Sequence, residues 1–294
     1  MKASDYIRDK FNGQVVYGDT DSTMIVFREK EYGKLWSHCE KVAAEVSALF
    51  PRPMELEFEE TIYKKFFILT KKRYIALECD NTGEYTGKIT KKGILLARRD
   101  NSRVVRDIYE KTIMHVLHNS TPDISSITDS VTSMFHRIHS PDNYVITKSV
   151  GDVDGYVKRD LPTDEKKKQK RLRDLRCTES EYEEKCLPAH IQLCQRMRRR
   201  GVRVDVGSRM EYVITTNGDR LSSKVEDIVY FKKFSGIMDI DSLYYLGLLV
   251  NPLDQIINVT YPIKDIVSGM FKIHTRKRKI CEEIKRIGQP IINY

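Results

Sequence analysis

Residues 17–22 read Tyr-Gly-Asp-Thr-Asp-Ser, between the runs Gln14-Val15-Val16 and Thr23-Met24-Ile25-Val26-Phe27. Two β-rich stretches joined by a short Gly-Asp link are the sequence form of a β-hairpin, and Gly18 is expected to make its turn at little steric cost. The hairpin puts Asp19 and Asp21 at one tip. Two residues apart, their carboxylates can converge on a common point, where such proximity is tolerable only if a cation neutralises it. Mg²⁺ suits the pair, because it takes hard oxygen ligands and leaves positions for water and substrate phosphates. Asp152-Val153-Asp154-Gly155 and Asp239-Ile240-Asp241-Ser242 share the spacing. Neither follows Tyr-Gly or lies between β-branched runs, so both read as turns or helix caps.

The wider pattern is α+β. From Lys2 to about Ala97 the order is helix (2–11), hairpin, a helix over 31–50 ended by Pro51, then a strand-rich stretch over 55–77. A second hairpin is expected where Tyr63–Leu69 and Tyr74–Leu77 flank Lys71, Lys72 and Arg73. From Arg98 to Tyr294 helical periodicity dominates. Asp100 or Asn101 caps a helix over 102–117, helices follow at 124–139, 178–186 and 189–200, and a short strand lies near 211–215. Residues 160–176, polar, charged and bounded by Pro162, read as a loop or linker.

Further motifs follow the hexapeptide: Lys71-Lys72-Arg73-Tyr74, Lys92-Gly93 with Arg98-Arg99-Asp100-Asn101, Tyr144-Val145-Ile146-Thr147-Lys148, Leu187-Pro188-Ala189-His190, Gly207-Ser208-Arg209, and Ile240-Asp241 with Tyr244-Tyr245-Leu246. In this order they resemble the family B DNA-directed DNA polymerases, and in flavour those of large double-stranded DNA viruses such as viruses of insects. The resemblance implies the C-terminal part of a palm over 1–97 and a mostly helical thumb over 98–294. It implies that Asp21 is a direct ligand and Asp19 a supporting acid of a two-metal Mg²⁺ site, both catalytic in nucleotidyl transfer to a primer 3′-hydroxyl. Lys72 would reach the minor groove, Tyr74 would support the primer backbone, and Thr147 and Lys148 would face it. Lys71 and Arg73 join them as DNA-contact candidates, and Arg98 and Arg99, just before a helix, can bind phosphates. The implied partners are primer-template DNA and deoxynucleoside triphosphates.

In that family a second metal-binding Asp lies in an earlier motif, Asp-x-x-Ser-Leu-Tyr-Pro, and an Asn-Ser-x-Tyr-Gly helix with a Lys grips the triphosphate. Neither run occurs in this sequence. The expectation is a polymerase part that is inactive alone and needs an N-terminal part carrying those motifs. A DNA-binding remnant without catalysis, or a subunit of a split polymerase, is the alternative. A nucleotide-sugar transferase, which also uses Asp-x-Asp, fits the basic second half poorly.

Charge agrees with a polyanion partner: 51 Lys and Arg oppose 42 Asp and Glu, a formal +9. The excess clusters at 166–171, 196–200 and 276–279, a pattern expected to track a DNA backbone. Cys39, Cys79, Cys177, Cys186, Cys194 and Cys281 contain no Cys-x-x-Cys pair, so free thiols are expected. Cys186, His190 and Cys194 share a helical face but lack a fourth zinc ligand. With no signal peptide and no apolar run long enough to span a bilayer, the expectation is a soluble intracellular protein with no membrane association, in the host nucleus if viral.

Overall fold

The computed structural model describes residues 3–95, 100–136, 138–152, 156, 164–174, 176, 178, 181 and 187–287. The chain divides into two compact units, Met1–Ala97 and Arg98–Tyr294. Small antiparallel sheets and many helices make it α+β.

The first unit opens with helix α1 (Ala3–Phe11), hairpin β1 (Gln14–Asp19) and β2 (Ser22–Val26), and helix α2 (Tyr32–Ser47). Ile7, Val42 and Val46 form a small core with Tyr6, Phe11, Ile25, Phe27, Phe50 and Leu56 packed against it. This is how the hairpin acquires a fixed base. Gly13 links α1 to β1, where a Cβ would meet Ile7 and Phe27 at 2.7 Å, so only glycine lets the helix lie this close to the strands. The second sheet has the order β3-β4-β5, with β3 Ile62–Thr70, β4 Arg73–Cys79 and β5 Tyr85–Lys92. The central strand is apolar along consecutive residues because both faces are covered: Tyr74, Ile75, Ala76, Leu77 and Cys79 are all buried.

In the second unit a three-stranded sheet of order β6-β7-β8 (Ile146–Ser149, Arg209–Ile214, Val225–Asp227) packs with helices. These are α3 (Arg103–Asn119), α4 (Ile124–Phe135), α5 (Glu165–Asp174), α6 (Ala189–Arg199), α7 (Leu221–Lys224), α8 (Ile228–Lys233), α9 (Ser242–Thr260) and α10 (Ile266–Ile287). Helix α9 is the hub. Its Leu246, Leu249, Leu253, Ile256 and Ile257 are fully buried, and it contacts α3, α4 and α10. Tyr245 at its start ties the sheet to the chain before it: its hydroxyl donates to the Tyr144 carbonyl at 2.7 Å and accepts from the Ile214 N–H at 2.9 Å.

Several expectations shift. Residues 165–174, read as a loop or linker, form helix α5: the run holds neither Gly nor Pro, Asp164 accepts from the Lys167 N–H at its start, and Leu172 is buried. The cap of α3 is Ser102, not Asp100 or Asn101. Helix α4 stops at Phe135, with Asp123 capping its first turn through Ser126 N–H. Strands begin only at Ile62, so 55–61 is irregular. Asp241 is a cap as expected, accepting from the Tyr244 N–H. Of the other Asp-x-Asp, residues 153–155 lie outside the described residues, as do 179–180 and 182–186 of the helix expected over 178–186.

Candidate functional site

The hairpin tip is built by register. Asp19 pairs with Ser22 and Gly18 with Thr23, so the two-residue turn is Thr20-Asp21. Gly18 is therefore a strand residue and does not make the turn. It lacks a positive φ, and a Cβ on it would meet only the Ser22 carbonyl oxygen at an ordinary 3.7 Å. Internal sterics do not demand glycine here.

One residue earlier, Tyr17 locks the tip to the second sheet. Its hydroxyl accepts from the Lys72 N–H at 2.7 Å, and its ring meets Tyr74 at 5.4 Å and Phe66 at 6.4 Å. Lys71 and Lys72 form the turn between Thr70 and Arg73, with Lys72 at φ +62°. Gly93, at φ +61°, closes on this turn, where a Cβ would collide with the Lys72 carbonyl oxygen. The Arg73 Nε–H donates to the Gly93 carbonyl at 3.2 Å. Two motifs some fifty residues apart in sequence thus become one structure.

Within it the two acids differ. The Asp19 side chain is 7% exposed, with Lys72 Nζ 3.5 Å from Oδ1 and Lys92 Nζ 3.5 Å from Oδ2. The Thr20 N–H donates to Oδ1 at 2.9 Å. That hydrogen bond first, then the two ammonium groups, hold the Asp19 carboxyl below the usual carboxylate range, against the opposing effect of desolvation. Asp21 is exposed at the turn. Lys92 is the residue that sequence reasoning left unassigned. It pairs across the strands with Tyr74, and its own pKa is raised, first by Tyr74 and then by Asp19. Only the β4–β5 register points it at the hairpin.

The other candidates take varied places. Lys71 and Lys72 are exposed, whereas Tyr74 is 5% exposed and packed against Tyr17 and Phe66. Burial raises the Tyr74 pKa, with Lys92 opposing. In the second unit Thr147 and Lys148 sit on β6 opposite Glu211 and Met210, Lys148 exposed and Thr147 half-buried. Arg98 and Arg99 lie outside the described residues.

The basic run at 196–200 bonds back onto the fold while Arg198, Arg199 and Arg200 stay exposed. Arg196 donates to the Ser222 and Val225 carbonyls at 2.7 and 2.5 Å, and Arg198 donates twice to the Val204 carbonyl. Arg200 makes a two-pronged pair with Glu226 at 2.8 and 3.1 Å and lies over the Tyr230 ring at 3.9 Å. His190 and Cys194 sit on α6, Cys194 fully buried and His190 against Tyr212; Cys186 lies outside the described residues. Among the described residues no helix is long and apolar enough to cross a membrane.

Carboxylate oxygens are the donors that Mg²⁺ prefers, so Asp19 and Asp21 fit it in kind. They do not complete a site. Among the described residues no three His, Cys, Asp or Glu side chains gather around one point, and both oxygens of Asp19 already face lysines.

Residues 1–260 match the family described as DNA polymerase family B, and the chain belongs to that family. DNA polymerase 120R of Invertebrate iridescent virus 3 is 34% identical over 98% of this chain. DNA polymerase 037L of Invertebrate iridescent virus 6 is 29% identical over 98%, and the DNA polymerase delta catalytic subunit of Candida albicans is 29% identical over 92%. The chain spans 28%, 27% and 24% of these three relatives' own lengths.

Proposed function

We propose that this chain is the palm-and-thumb part of a DNA-directed DNA polymerase, with residues 1–97 as palm and 98–294 as thumb. The observation that carries this reading is the lock between the Tyr17 hydroxyl and the Lys72 N–H, which sets an acidic tip beside a basic turn. Asp21, exposed, is the metal ligand, and Asp19 the supporting acid. Two divalent ions, when bound at such a site, stabilise the attacking and leaving oxygens of an in-line phosphoryl displacement. The chain's own part is positioning, which supplies most of the catalysis in this chemistry. Gly18 leaves the strand beside Asp19 without a side chain, as suits close approach of a ligand. Lys71, Lys72 and Arg73 face primer-template near its minor groove, where acceptors are shared by all base pairs and pairing is sensed without reading sequence. Thr147 and Lys148, with Arg98 and Arg99, follow the backbone.

The incomplete donor set supports a site finished by groups from an N-terminal polymerase part, which would also hold the deoxynucleoside triphosphate. In a host cell the nucleus is the proposed place of action. Primer extension by this chain alone, with Mg²⁺, deoxynucleotides and an Asp19→Asn/Asp21→Asn control, tests the reading beside duplex affinity. Expected are duplex binding and no extension. Extension by wild type but not by the control would show that the chain builds a complete site. Failure to bind duplex would refute the reading.

A further inference from the structure

Lys92 is held by no motif role assigned above, yet it lies as close to Asp19 as Lys72 does. One carboxylate carries an ammonium group on each oxygen, and the Thr20 N–H shares Oδ1. In this state a divalent cation approaching Asp19 meets two positive charges and finds both oxygens engaged. The lysine tails, however, enter from solvent: their side chains are 60% and 50% exposed. Their backbones are fixed, Lys72 through the Tyr17 hydroxyl and Lys92 through the strand pairing that ends at the close-packed Gly93. The ammonium groups can therefore swing away without disturbing the sheet, because half or more of each lysine side chain is in water and the solvated cation gives up little by leaving.

We propose that Lys92 and Lys72 together close Asp19 to divalent cations, and that a nucleic-acid duplex opens it by drawing both ammonium groups onto its phosphates and groove edges. This rests on the polymerase reading of the tip and adds Lys92 to it. Cation and duplex binding are then linked, each raising the affinity of the other by the same factor. Asp21 receives the cation first, and Asp19 joins only when the lysines have left. The arrangement keeps the acidic tip neutralised while no duplex is present.

Mn²⁺, added alone to the intact chain, is the probe, read through paramagnetic broadening of the Gly18, Thr20 and Asp21 amide resonances at fixed free Mn²⁺. Without DNA, Lys92→Gln should tighten Mn²⁺ binding about threefold and Lys72→Gln/Lys92→Gln about tenfold, the size expected for removing one or two exposed pairs. Lys92→Arg should keep the wild-type affinity, because the charge remains. Asp19→Asn should erase the gain in the double variant. A short duplex should raise the Mn²⁺ affinity of wild type and leave that of the double variant unchanged. Unchanged or weaker binding in Lys92→Gln overturns the proposal; if broadening then still depends on Asp21, judged by Asp21→Asn, the reading of the tip as a metal site survives. Absence of broadening in every variant, with and without duplex, overturns both.

Discussion

Asp19 in the first unit and Asp241 in the second are built alike but differ in the solvation of their partners. Both side chains are nearly buried, at 7% and 3% exposure, and both have two cationic partners. What separates them is the partners. Lys224 and Arg278 approach Asp241 to 3.0 and 2.5 Å with side chains only 23% and 30% exposed, and Asp241 also caps α9 through the Tyr244 N–H. Lys72 and Lys92 stay at 3.5 Å from Asp19 with half or more of their side chains in water. A carboxylate whose cations are largely withdrawn from water with it holds the scaffold together, since removing one partner strands charge in a poor solvent. One whose cations are solvated can exchange them for a ligand.

Substitution can break this contrast. Asp241→Asn should destabilise the second unit by about 3 kcal/mol, as expected when one partner of a buried ionic cluster is lost, measured by urea unfolding. The same residue sets a pH dependence. Burial pushes its carboxyl up, but Arg278 and Lys224 prevail and hold it below the usual carboxylate range. Its folded pKa is thus depressed, so its stabilisation is full above the unfolded value of about 3.9 and is lost as pH falls through the folded one. Wild type should lose more stability than Asp241→Asn on acidification below about pH 4.

A smaller effect is expected at Asp254 on α9, whose buried carboxylate accepts from the Val267 and Ser268 N–H groups and the Ser268 hydroxyl at the start of α10. Asp254→Ala should cost about 2 kcal/mol, near the upper end for a lost helix cap, visible as a lower midpoint in the same unfolding experiment. Asp19→Asn and Gly18→Ala should move thermal midpoints least. Asp19 has solvated partners and the Gly18 site has space for a methyl, so both changes should register in nucleic-acid and metal assays instead. A large loss of stability in Asp19→Asn would erase the distinction between the two clusters.

Much of this was readable from residue order. The Tyr17–Ser22 hairpin, the second hairpin around Lys71–Arg73 and the Asp241 cap follow from local rules, because turns, β-branched runs and caps act over a few residues. The family was legible for the same reason, through short motifs in order. The role of Gly18 was not, because the pairing of Asp19 with Ser22, which places the turn at Thr20-Asp21, is a register that the residue order alone does not give. Helix α5 was hidden by its polarity: a charged run reads as a loop until the burial of Leu172 is known. The hydrogen bonds of the arginines at 196–200 were not legible, because sequence counts charges and cannot see Glu226 or the carbonyls of Ser222, Val225 and Val204. Lys92 needed the cross-strand partner Tyr74, a pairing that only the folded sheet supplies.

The most direct measurement is primer extension beside duplex affinity in a complete polymerase carrying this segment, wild type against Asp21→Asn. Expected is a loss of synthesis by more than about a hundredfold, the scale of removing one stabilising group for the developing charge, with duplex affinity measured in the absence of divalent cations unchanged. Synthesis at the wild-type rate in Asp21→Asn would contradict the assignment of the hairpin tip as the metal-binding acid of the palm.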